Sequence, residues 1–419
     1  MTPATTRETT AATPTPSEAP AAAERLGALE LTLDPVQLDE FADEYRERRP
    51  LLLARAQSGR FEGILSAADV ERLVCTTGIR APAVRLVKDG GQIPLGDYTE
   101  NIPWRPGSFS ERAIVSRVAE EFAQGATIVV QGLQLHWHPA ALYCRELESR
   151  LGCPVQANAY YTPAAAQGFA VHHDTHDVFV LQVSGRKRWR LYEPLLELPL
   201  KRQRWSTGLG EVGEPVDDLL LGPGDTLYVP RGWPHEAATS DEESLHITVG
   251  LHPQTRVDAL RAALESCAED VEFRRSVGSN GILPGDLLER LAERLEPEQV
   301  LRRMRRSFVS SRRPILDGQL SQVRSLPSLK ADDRLMRRPT VVSELTLSRA
   351  GAALLFDRKE VVFPPKASTA VEALHGGLEP FSAAELPGPL DEDGRLVLVR
   401  RLVREGFLQV CEVERRPAR

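Results

Sequence analysis

The sequence has few cysteines, and no two of them stand at a metal-binding spacing. Five occur in 419 residues, at Cys75, Cys144, Cys153, Cys267 and Cys411. An odd, scattered set without a CxxC pair favours neither a disulfide framework nor a cysteine zinc site. We therefore expect reduced, mostly buried thiols and a cytoplasmic protein.

Long apolar runs and an excess of positive charge are also missing. No apolar stretch approaches the length that spans a bilayer, and the opening MTPATTRETTAATPTPSEAPAAAE lacks the basic start and apolar run of a secretory signal. The net charge is −7, which argues against a chain-wide nucleic-acid footprint. The sequence therefore predicts no membrane association, makes direct nucleic-acid binding an unfavoured reading, and predicts a disordered tail over residues 1–24.

Beyond the tail, the texture of the chain predicts an α+β fold in three parts. From Gln156 to Leu251, short apolar segments alternate with Gly, Pro and Asp turns. Several short strands around a pocket are typical of a jelly roll of the cupin type, and we place this domain over residues 25–253. Residues 254–335 have helical periodicity. Residues 336–419 end in a helix, turn, helix and strand pattern, which indicates a winged-helix-like module.

Histidines crowd one short stretch, FAVHHDTHDVFVLQ, although the whole chain has only nine. Side chains at i and i+2 of a strand point the same way, so His172 and Asp174 are expected to face together. Two imidazoles and one carboxylate on one face of a metal leave the opposite face open, which is the ligand set of non-haem Fe(II) oxygenases. Candidates for the third ligand are His176, His235 and His246.

His235 fits the third position best, because it ends the loop PRGWPHEA, which a jelly roll can fold back over the first two ligands. His176 lies about 13 Å from His172 along a regular strand, too far for a shared metal unless the chain bends. His246 is expected beside the site. An HxD pair alone is a weak motif, so accidental histidines in a solvated turn and a zinc site remain alternatives.

A lysine downstream gives a second clue. The stretch DVFVLQVSGRKRWRLY reads as two strands joined in a hairpin, with Lys187 and Trp189 on one face. A buried lysine needs an anionic partner, and the distal carboxylate of a dicarboxylate cosubstrate would supply one. The alternative is that Lys187 is one more solvated charge in GRKRWR, and the spacing does not choose between these readings.

Taken together, QANAYYTPAAAQGFAVHHDTHDVFVLQVSGRKRWRLYEP and GDTLYVPRGWPHEA with SLHITVG resemble JmjC-type 2-oxoglutarate oxygenases. Within these, the sequence looks most similar to the ribosomal oxygenases, a group of protein hydroxylases. The resemblance is dense over residues 156–251 and looser from Leu26 onward. It implies a double-stranded β-helix core with flanking helices, a homodimer formed through the helical region, and a winged-helix end.

The resemblance also implies roles for particular residues. The metal and catalytic triad carried over from the family is His172, Asp174 and His235. Lys187 matches the lysine of the GxKxW stretch that binds the distal carboxylate of 2-oxoglutarate. Asn158 and Tyr160 of NAY match pocket residues near cosubstrate and substrate, although ordinary strand packing is an equal alternative for both. His173 departs from the family, where a tyrosine is common in the middle of HxD, and His176 is an addition to the pattern.

The implied activity is hydroxylation of a histidine or arginine side chain of a protein such as a ribosomal protein. Fe(II) would be the cofactor, with 2-oxoglutarate and dioxygen as cosubstrates. Three alternatives remain open at this point. The same chemistry could act on a small molecule or natural-product peptide. The protein could be a non-enzymatic regulatory binding protein, given its winged-helix-like end and the arginine run LRRMRRSFVSSRRP. Lysine demethylation is the least favoured, because the resemblance runs to hydroxylases.

Overall fold

The computed structural model describes residues 26–101, 111–239, 241–277, 284–294 and 296–411. The tail predicted over residues 1–24 lies outside these ranges. Within them, no helix is long and apolar enough to cross a membrane.

Strands dominate the first part of the chain. Those before residue 252 are β1 (Leu51–Leu53), β2 (Val84–Lys88), β3 (Gly91–Gln92), β4 (Thr99–Asn101), β5 (Glu111–Ala113), β6 (Thr127–Val130), β7 (Val155–Thr162), β8 (Asp177–Ser184), β9 (Lys187–Leu191), β10 (Asp217–Leu221), β11 (Thr226–Val229), β12 (His235–Ala238) and β13 (Ser244–Leu251). The helices among them are α1 (Ala28–Leu33), α2 (Leu38–Glu44), α3 (Ala67–Thr76), α4 (Leu95–Tyr98), α5 (Val115–Ala123) and α6 (His138–Leu151).

The second part is mainly helical and ends in a small mixed module. Its helices are α7 (Arg256–Cys267), α8 (Val271–Arg274), α9 (Leu287–Arg294), α10 (Pro297–Ser311), α11 (Gln319–Ser325), α12 (Ser368–Gly376) and α13 (Glu392–Arg404). Its strands are β14 (Leu335–Arg337), β15 (Glu344–Ser348), β16 (Gly351–Phe356), β17 (Lys359–Phe363) and β18 (Leu408–Val410).

Two facing sheets form the jelly roll expected from the sequence. Within the described residues, the larger sheet has the strand order β1-β11-β8-β13-β7-β6-β2-β3, and the smaller has the order β10-β9-β12. Apolar side chains from both sheets, including Val180, Trp189 and Leu227, pack between them. The outer face of the larger sheet packs against the flanking helices through a separate core that includes Phe41, Leu147 and Phe179.

The predicted hairpin between β8 and β9 is wrong. β8 pairs with β11 and β13 in the larger sheet, whereas β9 pairs with β10 and β12 in the smaller one. Gly185 turns the chain from one sheet to the other with φ +63°, and a Cβ there would lie 1.8 Å from the Glu243 carbonyl oxygen. Only glycine fits this crossing. The local alternation still holds, because Lys187 and Trp189 are buried and Arg188 is exposed.

The C-terminal module has its own apolar core, which includes Phe356, Val371 and Phe407. The order α12, a short 3₁₀ helix, α13 and β18 agrees with the helix, turn, helix and strand pattern read from the sequence. The winged-helix assignment and the domain boundaries at 253 and 335 remain predictions.

Candidate metal centre and pocket

Backbone pairing brings two separate segments together at the candidate metal centre. His172 lies before β8 rather than within a strand, and it forms an isolated antiparallel bridge with His235 at the start of β12. The His235 N–H donates to the His172 carbonyl at 2.8 Å, and the reverse bond is 3.2 Å. A third backbone bond joins the same two segments, in which the Gly232 N–H donates to the Asp174 carbonyl at 3.0 Å. These bonds fix both segments side by side.

The three side chains expected to hold a metal converge at this bridge. One ligand atom from each of His172, Asp174 and His235 lies within 4.8 Å of the others, and His235 Nε2 is 4.0 Å from Asp174 Oδ2. The other two candidates lie elsewhere. His176 stacks on His252 at a ring distance of 4.6 Å, and His246 stacks on Tyr160 at 4.8 Å.

Hydrogen bonds orient both histidines as metal ligands. His172 Nδ1 lies 2.8 Å from the Ala170 carbonyl oxygen, and His235 Nδ1 lies 3.0 Å from that of Trp233. A carbonyl only accepts, so each ring carries its proton on Nδ1 and leaves the Nε2 lone pair free for a metal. Burial also lowers the pKa of His235 to about 4, which keeps that ring neutral.

The charge on Asp174 completes the donor set. Burial works to raise its pKa, but the neighbouring imidazoles of His176 and His235 outweigh burial and lower it below the ordinary value. The carboxylate is therefore ionised at neutral pH. Two neutral imidazoles and one carboxylate fit a divalent metal with open coordination positions.

A cavity of about 280 Å³ opens beside these ligands between the two sheets. Two rows of inward-facing side chains from the larger sheet line this cavity. Each row runs across neighbouring strands, because β2, β6, β7 and β13 pair in register. One row contains Arg85, Tyr160 and His246, and the next contains Asn158 and Thr248. Lys187, Trp189 and Ala237 line the opposite wall on the smaller sheet.

Lys187 is buried at the inner end of this cavity, with 3% of its surface exposed. This excludes the reading of a solvated charge. Its Nζ donates to Thr162 Oγ1 at 2.9 Å, and within the described ranges no carboxylate pairs with it. Burial lowers the pKa of Lys187 to about 7. A buried ammonium group with one hydroxyl partner is costly alone and fits an anionic ligand.

Asn158 and Tyr160 also line the cavity, as expected. Asn158 Oδ1 accepts from the Gly132 N–H at 2.9 Å and from Gln156 Nε2 at 3.2 Å, and the Asn158 side chain also forms a hydrogen bond with Tyr160. Burial raises the pKa of Tyr160 to about 12. The phenol therefore stays protonated and can donate a hydrogen bond.

Sequence reasoning missed a second cation in the cavity. Arg85 lies 5.9 Å from the Phe169 ring, and its Nε is buried with no hydrogen-bond partner among the described residues. The available signal was one charged residue, Arg85, between apolar residues in the segment VRLVK. Because side chains alternate along a strand, the sequence predicts which face of β2 carries Arg85. What the sequence could not give was that this face forms part of the pocket.

The comparisons with known proteins agree with this geometry. Residues 133–259 match the family model of the JmjC domain. The chain is 30% identical over 264 residues to the bifunctional lysine-specific demethylase and histidyl-hydroxylase NO66 of Drosophila persimilis, covering 61% of this chain and 36% of that protein. It is 32% identical over 259 residues to ribosomal oxygenase 1 of Gallus gallus, covering 58% and 40%.

A solved structure of YcfD, a ribosomal oxygenase from Escherichia coli, aligns with a TM-score of 0.54 at 18% identity, covering 91% of this chain and 99% of that one. YcfD in complex with cobalt and 2-oxoglutarate aligns with a TM-score of 0.53 at 17% identity, covering 90% and 99%.

Fold and site together define a jelly roll of the cupin type with a candidate metal centre. Residues 133–259, which match the JmjC domain model, cover most of this jelly roll, and the proteins similar to the chain include ribosomal oxygenases and the NO66 group. The chain spans between about a third and two fifths of the length of these two curated relatives.

Proposed function

We propose that this protein is an Fe(II)- and 2-oxoglutarate-dependent oxygenase that hydroxylates a side chain of a protein substrate. The observation that carries the proposal is one cavity holding both a ligand triad within 4.8 Å and a buried lysine that has no anionic partner among the described residues. Support also comes from YcfD, a ribosomal oxygenase that binds cobalt and 2-oxoglutarate.

Each residue has a definite role in this proposal. His172, Asp174 and His235 hold the metal. Iron held there would couple oxidative decarboxylation of 2-oxoglutarate to hydroxylation, with one oxygen atom of dioxygen passing into succinate and the other into the new hydroxyl group on a substrate carbon. The protein supplies ligand orientation through the carbonyls of residues 170 and 233 and a dry cavity.

Lys187 binds the distal carboxylate of 2-oxoglutarate. A charge-assisted bond there satisfies the buried ammonium group and returns its pKa towards the ordinary range. Tyr160 and Asn158 point into the same cavity from β7, where the phenol and the amide can orient a substrate by hydrogen bonds.

The charges in the pocket favour a histidine substrate over arginine. Among the described lining residues, the carboxylates are Asp174 and Glu236. Asp174 belongs to the metal, and Glu236 accepts a hydrogen bond from the Tyr192 hydroxyl at 2.8 Å. A guanidinium or methylated ammonium group that entered the cavity would be repelled by Arg85, and no free lining carboxylate would offset its charge. A neutral imidazole carries no charge and can accept hydrogen bonds from the amide and phenol donors. The relatives named histidyl-hydroxylases agree with this choice.

The decisive experiment measures succinate release from 2-oxoglutarate by the Fe(II)-loaded protein, with and without extracted ribosomal proteins. We expect stimulation by ribosomal protein and a gain of one oxygen on a histidine-containing peptide. The Asp174→Ala variant should bind no Mn(II) and show no turnover. The Lys187→Met variant should bind 2-oxoglutarate at least about tenfold more weakly, as expected for loss of a charge-assisted hydrogen bond.

Arg188→Met is the matched control, because Arg188 is the next residue of β9 but is exposed and paired with Asp218. It should leave 2-oxoglutarate affinity unchanged. Turnover that no protein stimulates would move the substrate to small molecules or peptides. Absence of both metal binding and turnover would leave a non-enzymatic binding protein.

We also propose that the protein is a cytoplasmic homodimer. Exposed leucines on the helical region support a self-association face, with Leu260 at 58%, Leu264 at 53% and Leu301 at 63% exposure. All five cysteines are free, as expected in a reducing compartment. In sedimentation experiments the wild type should behave as a dimer, and the Leu260→Glu and Leu264→Glu variants should behave as monomers.

A further inference from the structure

The connection between β9 and β10, residues 192–216, packs against the segment that carries the first two metal ligands. His173, between those ligands in sequence, is buried. Its Nε2 lies 3.2 Å from the Gln203 carbonyl oxygen, and its ring lies 5.3 Å from that of Trp205 in an edge arrangement. The residue that departs from the family pattern therefore anchors this connection to the metal centre.

The same connection also packs against the loop that carries the third ligand. Gly232 has φ +90°, and a Cβ there would lie 2.5 Å from the Leu196 carbonyl oxygen and 2.7 Å from Pro199. Because the Gly232 N–H holds the Asp174 carbonyl, residues 192–216 contact both ligand-bearing segments.

A fixed turn at residues 200–203 presents the tip of this connection. The Gln203 N–H donates to the Leu200 carbonyl at 2.7 Å, and the Leu200 N–H donates to Gln203 Oε1 at 2.8 Å. Together with the bond to His173, these contacts hold the turn in one position beside the metal centre.

The turn bears three exposed cations, Lys201, Arg202 and Arg204. Within the part of the chain that the structure describes, none of them forms a hydrogen bond or an ion pair. The contrast with other exposed arginines is clear, since Arg188 pairs with Asp218. Several arginines of α10 are likewise paired, such as Arg306 with Glu360 at 2.9 Å. In a chain of net charge −7, three such cations thus lie within four residues of one turn.

Lys201 also lies near a histidine pair that adjoins the metal ligands. His252 stacks on His176, two residues from Asp174. Burial is the main cause that lowers the pKa of His252 to about 4, and the charge of Lys201 is among the further causes. The positive charge of Lys201 therefore contributes to the lowered pKa of His252 in this pair.

We propose that residues 201–205 form a docking surface for the phosphate backbone of RNA beside the metal centre. The sequence KRQRW combines two guanidinium groups, an ammonium group and a half-exposed indole, which are the donors and the stacking platform that RNA backbones and bases use. The identity of the partner rests on the proposed function, because a ribosomal protein substrate is met in contact with RNA. The basic turn would attract the phosphate groups of that RNA.

This surface was not expected from the sequence. The whole-chain charge and the arginine run gave no sign of it, and Arg303, Arg306 and Arg312 of the run form salt bridges in the structure. What distinguishes Lys201, Arg202 and Arg204 is that they have no ion-pair partner among the described residues, which only the folded chain reveals.

Fluorescence anisotropy tests the proposal by measuring the binding of a fluorescein-labelled RNA hairpin at several KCl concentrations. The hairpin has about 20 nucleotides, which exceeds the site size of one small binding surface. The test variant is Lys201→Gln, Arg202→Gln and Arg204→Gln together. The control is Arg261→Gln, Arg275→Gln and Arg303→Gln together, which removes the same charge from exposed, paired arginines.

The test variant should lose at least about tenfold in affinity, and the slope of log K against log salt should fall by about 2, as for three lost phosphate contacts. The control should resemble the wild type, and both variants should keep the thermal midpoint. Absence of RNA binding by the wild type, or equal weakening in the control, would overturn the proposal. A poly-glutamate peptide that competes with equal affinity would overturn it in favour of an acidic protein partner. Because the assay needs neither metal nor 2-oxoglutarate, its failure leaves the proposed oxygenase activity intact.

Discussion

Replacing Lys187 by methionine is expected to stabilise the protein while weakening its hold on 2-oxoglutarate. The ammonium group is buried, and burial lowers its pKa from 10.5 to about 7. A tenfold change in proton affinity corresponds to about 1.4 kcal/mol, so keeping the charged form in the folded protein costs about 5 kcal/mol. Methionine has a similar length and no charge.

The sign of the pH dependence follows from the direction of this shift. Between pH 7 and 10.5 the unfolded chain keeps the proton and the folded chain releases it, so the free energy of unfolding rises with pH. The destabilisation is absent above pH 10.5, grows as the pH falls towards 7, and is complete below pH 7. At pH 8 it amounts to about 3 kcal/mol.

The expected gain is smaller than this, because methionine also loses the hydrogen bond to Thr162. That bond contributes about 1 kcal/mol, while the Thr162 hydroxyl still accepts from Thr127 at 3.1 Å. We therefore expect Lys187→Met to raise the free energy of unfolding by about 2 kcal/mol at pH 8 and by less than about 1 kcal/mol at pH 10.

Urea unfolding followed by tryptophan fluorescence measures this effect, because all five tryptophans lie within residues 104–233 of the jelly-roll region. The wild type should gain stability from pH 6.5 to pH 9.5, and the variant should lack that rise. Millimolar 2-oxoglutarate with Mn(II) should stabilise the wild type much more than the variant. Equal pH slopes for the two proteins, or a destabilised variant, would refute the argument that Lys187 is a charge held buried for a ligand.

Two further predictions concern the frame around the site. Glu148 is buried and accepts from Arg145 Nε at 2.9 Å and from Arg312, so Glu148→Gln should lower the free energy of unfolding by about 3–5 kcal/mol in urea titrations, whereas the exposed Glu272→Gln should change it little. Gly232→Ala should cost about 1–3 kcal/mol and weaken Mn(II) binding measured by electron spin resonance, because a Cβ displaces the Leu196 carbonyl. Gly63→Ala, with open space around it, should alter neither quantity.

The features that depend only on residues close together in the chain could be predicted from the sequence. The composition of HHD and the alternation in KRWRL are local, and they already indicated which side chains share a face. They led to His172, Asp174 and Lys187 without any knowledge of strand pairing. The same local signals indicated the short strands of the jelly roll and the helices after it.

Tertiary structure decided the features that depend on residues far apart in the chain. His172 and His235 meet through a backbone bridge, and the crossing at Gly185 sends β9 to the opposite sheet rather than into a hairpin. Arg85 enters the pocket because β2 lies in register with β6 and β7. The burial of Lys187 and the lack of ion-pair partners for Lys201, Arg202 and Arg204 among the described residues likewise follow from packing. Periodicity fixes the direction of a side chain along its own strand, but the element that faces it is chosen by the packing of the whole chain.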